Sequence, residues 1–453
     1  MKYVSTRGQA PVLDFADVLL AGLAADGGLY VPDTWPALPG GWRNPRPYVE
    51  VAGDVLWPYV EGSTLPRRSL DELVAEAYAT FDHPDVCPLV ELEPGLWVVE
   101  LFHGPTLAFK DVALQLVGRL FDRELQRRGE RRTIVVATSG DTGSAAIAAC
   151  VGRPTLDIVV LHPAGRVSDV QRRQMTTVDA PNVHNVAVEG TFDDCQDVVK
   201  ALFADAELRD RVGLSAMNSI NWARVAAQVV YYVTAAAACG PCEMAVPTGN
   251  FGNILAGWIA RRSGAPIEGL VIGSNCNDIL TRWAQTGSLV AEEVVATLSP
   301  SMDIQVSSNH ERLLFELLGR DGAATAELMG RFRALGSVEG PRDPVFAAAS
   351  LDDDATLAVI AGLQHRTGYL ADPHTAVGIG AGEVCRRRPD LPMVCLATAH
   401  PAKFPDAVER ATGTRPALPD SLADLFERPE RYDVLPVDVA EVRRYVERSV
   451  GAH

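Results

Sequence analysis

Lys110 is the residue of this chain best suited to act as a nucleophilic amine. Only four of the 41 basic side chains are lysine (Lys2, Lys110, Lys200 and Lys403), the others being arginine. Lys110 sits in Phe102-His103-Gly104-Pro105-Thr106-Leu107-Ala108-Phe109-Lys110-Asp111, with Val112-Ala113-Leu114 following. An ammonium among apolar neighbours is partly desolvated, which frees the amine for attack, work that a permanently protonated guanidinium cannot do. Two further segments, Thr138-Ser139-Gly140-Asp141-Thr142-Gly143 and Pro247-Thr248-Gly249-Asn250-Phe251-Gly252-Asn253, are glycine-rich turns that open helices. Such turns present backbone N–H groups and the positive end of a helix dipole to an anion. Thr398 offers a hydroxyl, flanked by His400 and Lys403.

A last cluster, Met217-Asn218-Ser219-Ile220-Asn221-Trp222-Ala223-Arg224, places Asn221, Arg224 and Gln228 at three- and four-residue spacing. One helix face can then carry amides and a guanidinium suited to bidentate phosphate binding. The plainer alternative is an amphipathic helix capped near Ser219 or Asn218. Two anion cradles and one amine together suit a lysine-bound cofactor with a phosphate and a substrate with its own anionic group. Pyridoxal phosphate meets the first requirement, because its aldehyde forms a Schiff base with lysine and its phosphate needs a cradle.

The elements that must hold these loops recur as a short β-branched run, a polar turn and a helical pattern. Leu96–Leu101 leads to the His103-Gly104-Pro105 turn and the helix of Lys110, and Thr133–Ala137 leads to Thr138 and an Ala-rich helix. Glu243–Val246 leads to the Gly249 turn and a helix through Ile259, and Pro392–Ala397 leads to Thr398. Leu156–Leu161 and Leu270–Ile272 are further buried-strand candidates. This alternation indicates an α/β fold with largely parallel sheets, whose ligands bind beyond the carboxyl ends of the strands. The expected division is an N-terminal small domain over 1–95, a lobe over 96–240 and a larger lobe over 241–453. The first of these mixes Pro, Gly and aromatic residues and includes a helical stretch near Ser69 to Phe81. The Arg386-Arg387-Arg388 run reads as the charged end of a helix.

A chain of 453 residues with 47% hydrophobic and 22% charged side chains is long enough for several packed domains. Its formal charge of −17 argues against nucleic acid or an anionic membrane as a general partner. The longest apolar stretch, Val225 to Cys239, is interrupted by Gln228 and Thr234 and is too short to span a bilayer. The start lacks an apolar core and a cleavage site, so no signal peptide is expected. Eight scattered cysteines fit free thiols in a reducing cytoplasm. Cys239-Gly240-Pro241-Cys242 has dithiol spacing, but it follows a helical pattern and precedes a strand, the reverse of the order that activates a thiolate, and reads as a turn. No metal site is expected. Neither a G-x-x-x-x-G-K-[ST] nor a G-x-G-x-x-G sequence opens a helix, which argues against a nucleotide-binding protein.

At F-H-G-P-T-L-A-F-K-D, T-S-G-D-T-G-S-A, N-S-I-N-W-A-R, P-T-G-N-F-G-N, D-P-H-T-A-V-G and T-A-H-P-A-K-F the chain resembles the threonine synthase family, in its longer form with an N-terminal extension. These are fold-type-II pyridoxal-phosphate enzymes, similar in fold to the tryptophan synthase β chain, with two α/β lobes. The resemblance implies that Lys110 bonds the cofactor and moves protons between substrate carbons. It implies Gly249, Asn250, Phe251, Gly252 and Asn253 as the cofactor phosphate cup and Thr398 as the partner of the pyridine nitrogen. Thr138, Ser139, Gly140, Asp141 and Thr142 resemble the loop for the substrate carboxylate, and Ser219, Asn221 and Arg224, with Asn250, the site for a substrate phosphate. Asp141 departs from the pattern: shorter members carry Asn there, beside the cofactor's phenolic oxygen.

The implied reaction turns O-phospho-L-homoserine and water into L-threonine and phosphate. A phospholyase that releases 2-oxobutanoate, ammonia and phosphate from the same substrate is the alternative, and a catalytically silent binding protein of this fold the more distant one. The oligomeric state stays open at this point.

Overall fold

The structure is a computed structural model and describes residues 1–450. The last three positions of the expected 241–453 span lie outside them. The chain forms two compact units, one of residues 1–109 with 219–416, the other of residues 110–218 with 417 onward. Each is built on its own sheet.

In the first unit a six-stranded sheet runs in the order Phe346–Ser350, Ile267–Ser274, Cys242–Pro247, Met393–Ala397, Leu96–Glu100, Leu89–Glu93. All pairings are parallel except the last, where Leu89–Glu93 runs antiparallel along the edge. The turns after Glu100, Pro247 and Ala397 therefore leave one edge of this sheet, which gathers His103, Gly249 and Thr398 at strand carboxyl ends. Packing on the sheet joins Val98, Ala245, Val271, Val377, Ile379 and Cys395, all buried. Two short antiparallel pairs complete the unit, Tyr3–Ser5 with Tyr30–Pro32 and Ser288–Val290 with Ser337–Glu339.

In the second unit five strands, all parallel, run Asp433–Leu435, Val183–Val188, Leu156–Pro163, Arg132–Ala137, Leu214–Ser215. Leu156–Pro163 is buried along its whole length, as a central parallel strand covered on both faces must be.

Local details follow from the side chains. The C-x-x-C segment joins the helix Trp222–Cys239 to the strand Cys242–Pro247, and both cysteines are free. Burial pushes the thiols up, Cys239 to about 11 and Cys242 to about 12, which removes them from thiolate chemistry. The arginine run begins where the helix Pro373–Cys385 ends, and the N–H groups of Arg387 and Arg388 donate to the buried Glu243 carboxylate. Among the described residues no helix is long and apolar enough to cross a membrane, and no His/Cys/Asp/Glu group could hold a metal ion.

Candidate functional site

In the second unit Lys110 is the first residue of the helix Lys110–Arg128 and is buried. Its Nζ lies 3.2 Å from Asp141 Oδ2, and Asp141 is equally buried. To the desolvation expected from the apolar neighbours the structure adds a carboxylate. Burial penalises the ammonium and the carboxylate stabilises it, so the two effects oppose. Gln171 Nε2 donates to the other carboxylate oxygen at 2.8 Å, which leaves Asp141 a fixed orientation. Nothing in the sequence marks Gln171.

Asp141 opens the helix Asp141–Cys150, and Gly140 before it has φ 139°, a backbone conformation that suits glycine. A methyl group at Gly140 would stand 2.6 Å from Gln171 Cδ, so the glycine also makes room for the amide that holds Asp141. Thr138 Oγ1 accepts from the N–H groups of Gly140 and Gly143, both at 2.9 Å. The N–H groups of Ser139 and Thr142 have no acceptor among the described residues and stand ready for an anion.

In the first unit the turn after Pro247 reaches the helix Gly252–Arg262 through Phe251, whose φ is 64°. A phenylalanine in the left-handed region costs on the order of 1–2 kcal/mol. Burial offsets this: the ring is 1% exposed and packs against His310 (5.0 Å), Phe346 (5.7 Å) and Trp283 (6.4 Å between centroids). With Phe251 so fixed, none of the backbone N–H groups from Gly249 to Asn253 has an acceptor among the described residues. Five consecutive donors at a helix N-terminus form an anion cradle.

Behind the cradle the carbonyls, by contrast, are held. Gly249 O accepts from Ser307 Oγ, and Asn250 O accepts from Asn309 N at 3.1 Å and Asn309 Nδ2 at 3.0 Å. Asn309 Nδ2 also reaches Ser219 O at 3.1 Å, so one amide joins the Ser219 segment to the glycine-rich turn. Arg312, 1% exposed, orients Asn309 through its Oδ1 and donates to Tyr30 O and Ile220 O at 2.9 and 2.7 Å. Asn253 Oδ1 accepts from the hydroxyls of Tyr231 and Tyr232 at 2.6 and 2.9 Å, while its Nδ2 is a buried donor with no acceptor among the described residues. Gly249 is needed where it stands: a methyl there would lie 2.7 Å from Ser301 O. This set of glycines, N–H groups and an unaccepted amide fits a phosphate of a bound cofactor.

Thr398 follows the strand Met393–Ala397 and is buried, its N–H donating to Thr375 Oγ1 at 3.1 Å and its carbonyl accepting from Phe109 N–H at 2.8 Å. Lys403 is buried as well, donating from Nζ to Thr106 O at 2.6 Å. Arg224 is buried in the helix Trp222–Cys239, and burial pushes its guanidinium down to about 10, still cationic at neutral pH. Asn221 is a cap: its Oδ1 accepts from Ala223 N–H at 3.0 Å and its Nδ2 donates to Leu19 O at 2.8 Å. The helix is thus capped by Asn221, three residues after Asn218. Gln228 turns its amide to Arg224 O and Tyr231 Oη, within the helix and not outward.

Comparison with known proteins gives one consistent family. Residues 2–78 match the model "Threonine synthase N terminus", 86–398 "Pyridoxal-phosphate dependent enzyme" and 375–446 "Threonine synthase, C-terminal". The threonine synthase of Pseudomonas aeruginosa is 52% identical over 461 residues, covering 98% of each chain. The crystal structure of pyridoxal-phosphate-bound threonine synthase from Brucella melitensis superposes with a TM-score of 0.97 at 50% identity and covers both chains fully. Yeast threonine synthase superposes at 0.94 with 36% identity, covering 99% of this chain and 98% of that one.

Proposed function

The chain belongs to the threonine synthase family of pyridoxal-phosphate-dependent enzymes, and on that premise we propose that its substrate is O-phospho-L-homoserine, converted with water to L-threonine and phosphate. The observation that carries this reading is the row of N–H donors from Gly249 to Asn253 in the unit that also holds Ser219, Arg224 and Thr398. When bound, pyridoxal phosphate supplies an aldehyde for the substrate amine and a conjugated ring that stabilises charge on neighbouring carbons.

Lys110 Nζ is the proposed covalent anchor and the proton carrier at the substrate's Cα and Cβ. Asp141 and Gln171 orient that amine through the 3.2 and 2.8 Å contacts. We assign Asp141 to the lysine and leave the substrate carboxylate to the N–H groups of Ser139 and Thr142, with Thr138 and Gly140 shaping the turn. The cup Gly249, Asn250, Phe251, Gly252 and Asn253 takes the cofactor phosphate. The Thr398 hydroxyl would serve as a neutral partner for the pyridine nitrogen. Stabilisation of negative charge then leans on the anion-binding groups. Arg224 and Ser219 hold the substrate phosphate, with Asn309 fixing Ser219 to the cup. Asn221 enters this set as the cap that starts the Arg224 helix. The eight free cysteines support a cytoplasmic setting.

The test is product analysis with purified protein, pyridoxal phosphate and O-phosphohomoserine. Phosphate released in step with threonine is expected. Phosphate released with 2-oxobutanoate and ammonia would move the protein to the phospholyases. The absence of a visible band bleached by borohydride would mark a silent binding protein.

A further inference from the structure

We propose that Asp372 is a positioning residue that ties the two ends of the cofactor site together within the first unit. The inference rests on the assignment of Gly249 and Thr398 to that site. Asp372 is fully buried and caps the helix Pro373–Cys385, accepting from the N–H groups of His374 at 2.9 Å and Thr375 at 3.2 Å. Its side chain then does two further things. Oδ2 accepts from the Thr375 hydroxyl, and Oδ1 lies 2.8 Å from His374 Nδ1.

Each neighbour passes the constraint on. Thr375 Oγ1 accepts the N–H of Thr398 at 3.1 Å, so its own proton must point to Asp372. Fixing that N–H fixes the backbone from which the Thr398 hydroxyl projects. His374 Nε2 accepts the N–H of Ser301 at 3.2 Å, which requires a bare lone pair there and puts the ring proton on Nδ1, toward Asp372. The Ser301 carbonyl in turn stands where a methyl on Gly249 would meet it at 2.7 Å, so it forms the wall behind the phosphate cup. Packing of the His374 ring on Phe404, 4.8 Å between centroids, holds the imidazole in this plane. One carboxylate with two oxygens thus serves four donors and sets both the pyridine end and the phosphate end. A neutral amide could not, because one of its two heads donates.

The test uses the full chain and reads cofactor affinity, by fluorescence titration of the apoprotein, and the pH dependence of the bound cofactor's visible band. Thr375→Val is expected to weaken affinity roughly tenfold, the scale of one buried hydrogen bond to a charged group, and to shift the band's pH profile. Thr375→Ser restores both. His374→Gln is expected to weaken affinity, and the apoprotein's binding of inorganic phosphate, while the pH profile stays put. Wild-type affinity and profile in Thr375→Val, or no rescue by Ser, overturns the pyridine arm. Wild-type phosphate binding in His374→Gln overturns the cup arm, and this result needs no folded Val variant. Thr398→Ala separates the two levels: if it moves neither readout, the placement of Thr398 fails and the inference with it. If it moves both while Thr375→Val moves neither, only the inference fails.

Discussion

The two units build their polar turns by opposite means. In the unit that begins at Lys110, charged side chains stand at the turn itself: a buried ammonium, a buried carboxylate and the amide of Gln171 that aims it. In the other unit the turn offers backbone N–H groups, and charge stands behind it, Arg312 bracing Asn309 and Asp372 bracing His374 and Thr375. A group that must change its protonation needs a titratable neighbour within reach. A group that only holds an anion is better made of neutral donors fixed from behind, because they need no counter-charge and do not titrate. The comparison can be broken by asking which half of the chemistry each substitution removes.

The largest effect is expected at Lys110. Lys110→Ala removes the proposed anchor and proton carrier together and is expected to lower turnover by about 10⁴-fold or more, the upper range for general acid–base groups, while cofactor phosphate affinity falls far less. Turnover assays with equilibrium dialysis of the cofactor check this, and loss of both in equal measure would erase the division of labour. Arg312→Met comes next. It leaves Tyr30 O, Ile220 O and Asn309 Oδ1 without their buried donor, and a buried acceptor left unsatisfied costs about 1–3 kcal/mol. Urea denaturation is expected to show that loss, and Asn309, released, should slacken the cup and weaken cofactor binding as well. A variant that is destabilised yet binds cofactor normally would detach Arg312 from the site.

Much of this was legible in the sequence, for a physical reason. The turns that carry Gly249 and Thr398 follow the runs Cys242–Pro247 and Met393–Ala397, which are buried on both faces and so read as largely apolar segments. Val183–Val188 hid because His184 and Asn185 interrupt it, and Phe346–Ser350 because it is mostly alanine. The bracing residues were not legible at all. Gln171 lies 30 positions from Asp141 and Asn309 lies 59 from Asn250. No local pattern joins them, and only the fold brings them into contact. Asp372 is the intermediate case: Asp-Pro before a helical run announces a cap, but its reach to Thr398 through Thr375 depends on the sheet. Asn221 and Gln228 show the converse: helical spacing places them near Arg224, whereas Asn221 caps the helix and donates to Leu19 O and Gln228 turns its amide back to Arg224 O.

A smaller effect sharpens the charged half of the comparison. Gly140→Ala forces a side chain into positive φ and against Gln171 Cδ at 2.6 Å, a strain of about 1–3 kcal/mol. The expected outcome is a modest loss of stability with a larger loss of turnover, because Gln171 moves and Asp141 loses its aim. Gln171→Leu, free of the backbone strain, should reproduce the loss of turnover, its own loss of stability being that of the buried donor withdrawn from Asp141. If it leaves turnover at the wild-type level, Asp141 does not need its brace.

The smallest effect restates the contrast between held charge and neutral packing in two histidines of the first unit. Burial pushes the His103 imidazole down, but hydrogen bonds to Glu100 at 2.8 Å and Asp82 at 2.9 Å outweigh it, and the net direction is upward. His310, packed on Trp283 and Phe251, is pushed down to about 3 by burial alone. The signs are opposite. A raised folded value means that His103 stabilises fully below the unfolded value of about 6.5 and ceases to do so as pH rises through the folded one. A depressed value means that His310 favours unfolding as pH falls from about 6.5 toward 3, since only the unfolded chain then takes up the proton. His103→Gln should therefore lower the urea midpoint most near pH 5.5 and progressively less toward about pH 9, whereas His310→Gln should narrow its deficit against wild type as the medium is acidified. A His103→Gln deficit that is constant with pH would mean that Glu100 and Asp82 hold the ring by geometry and not by its charge.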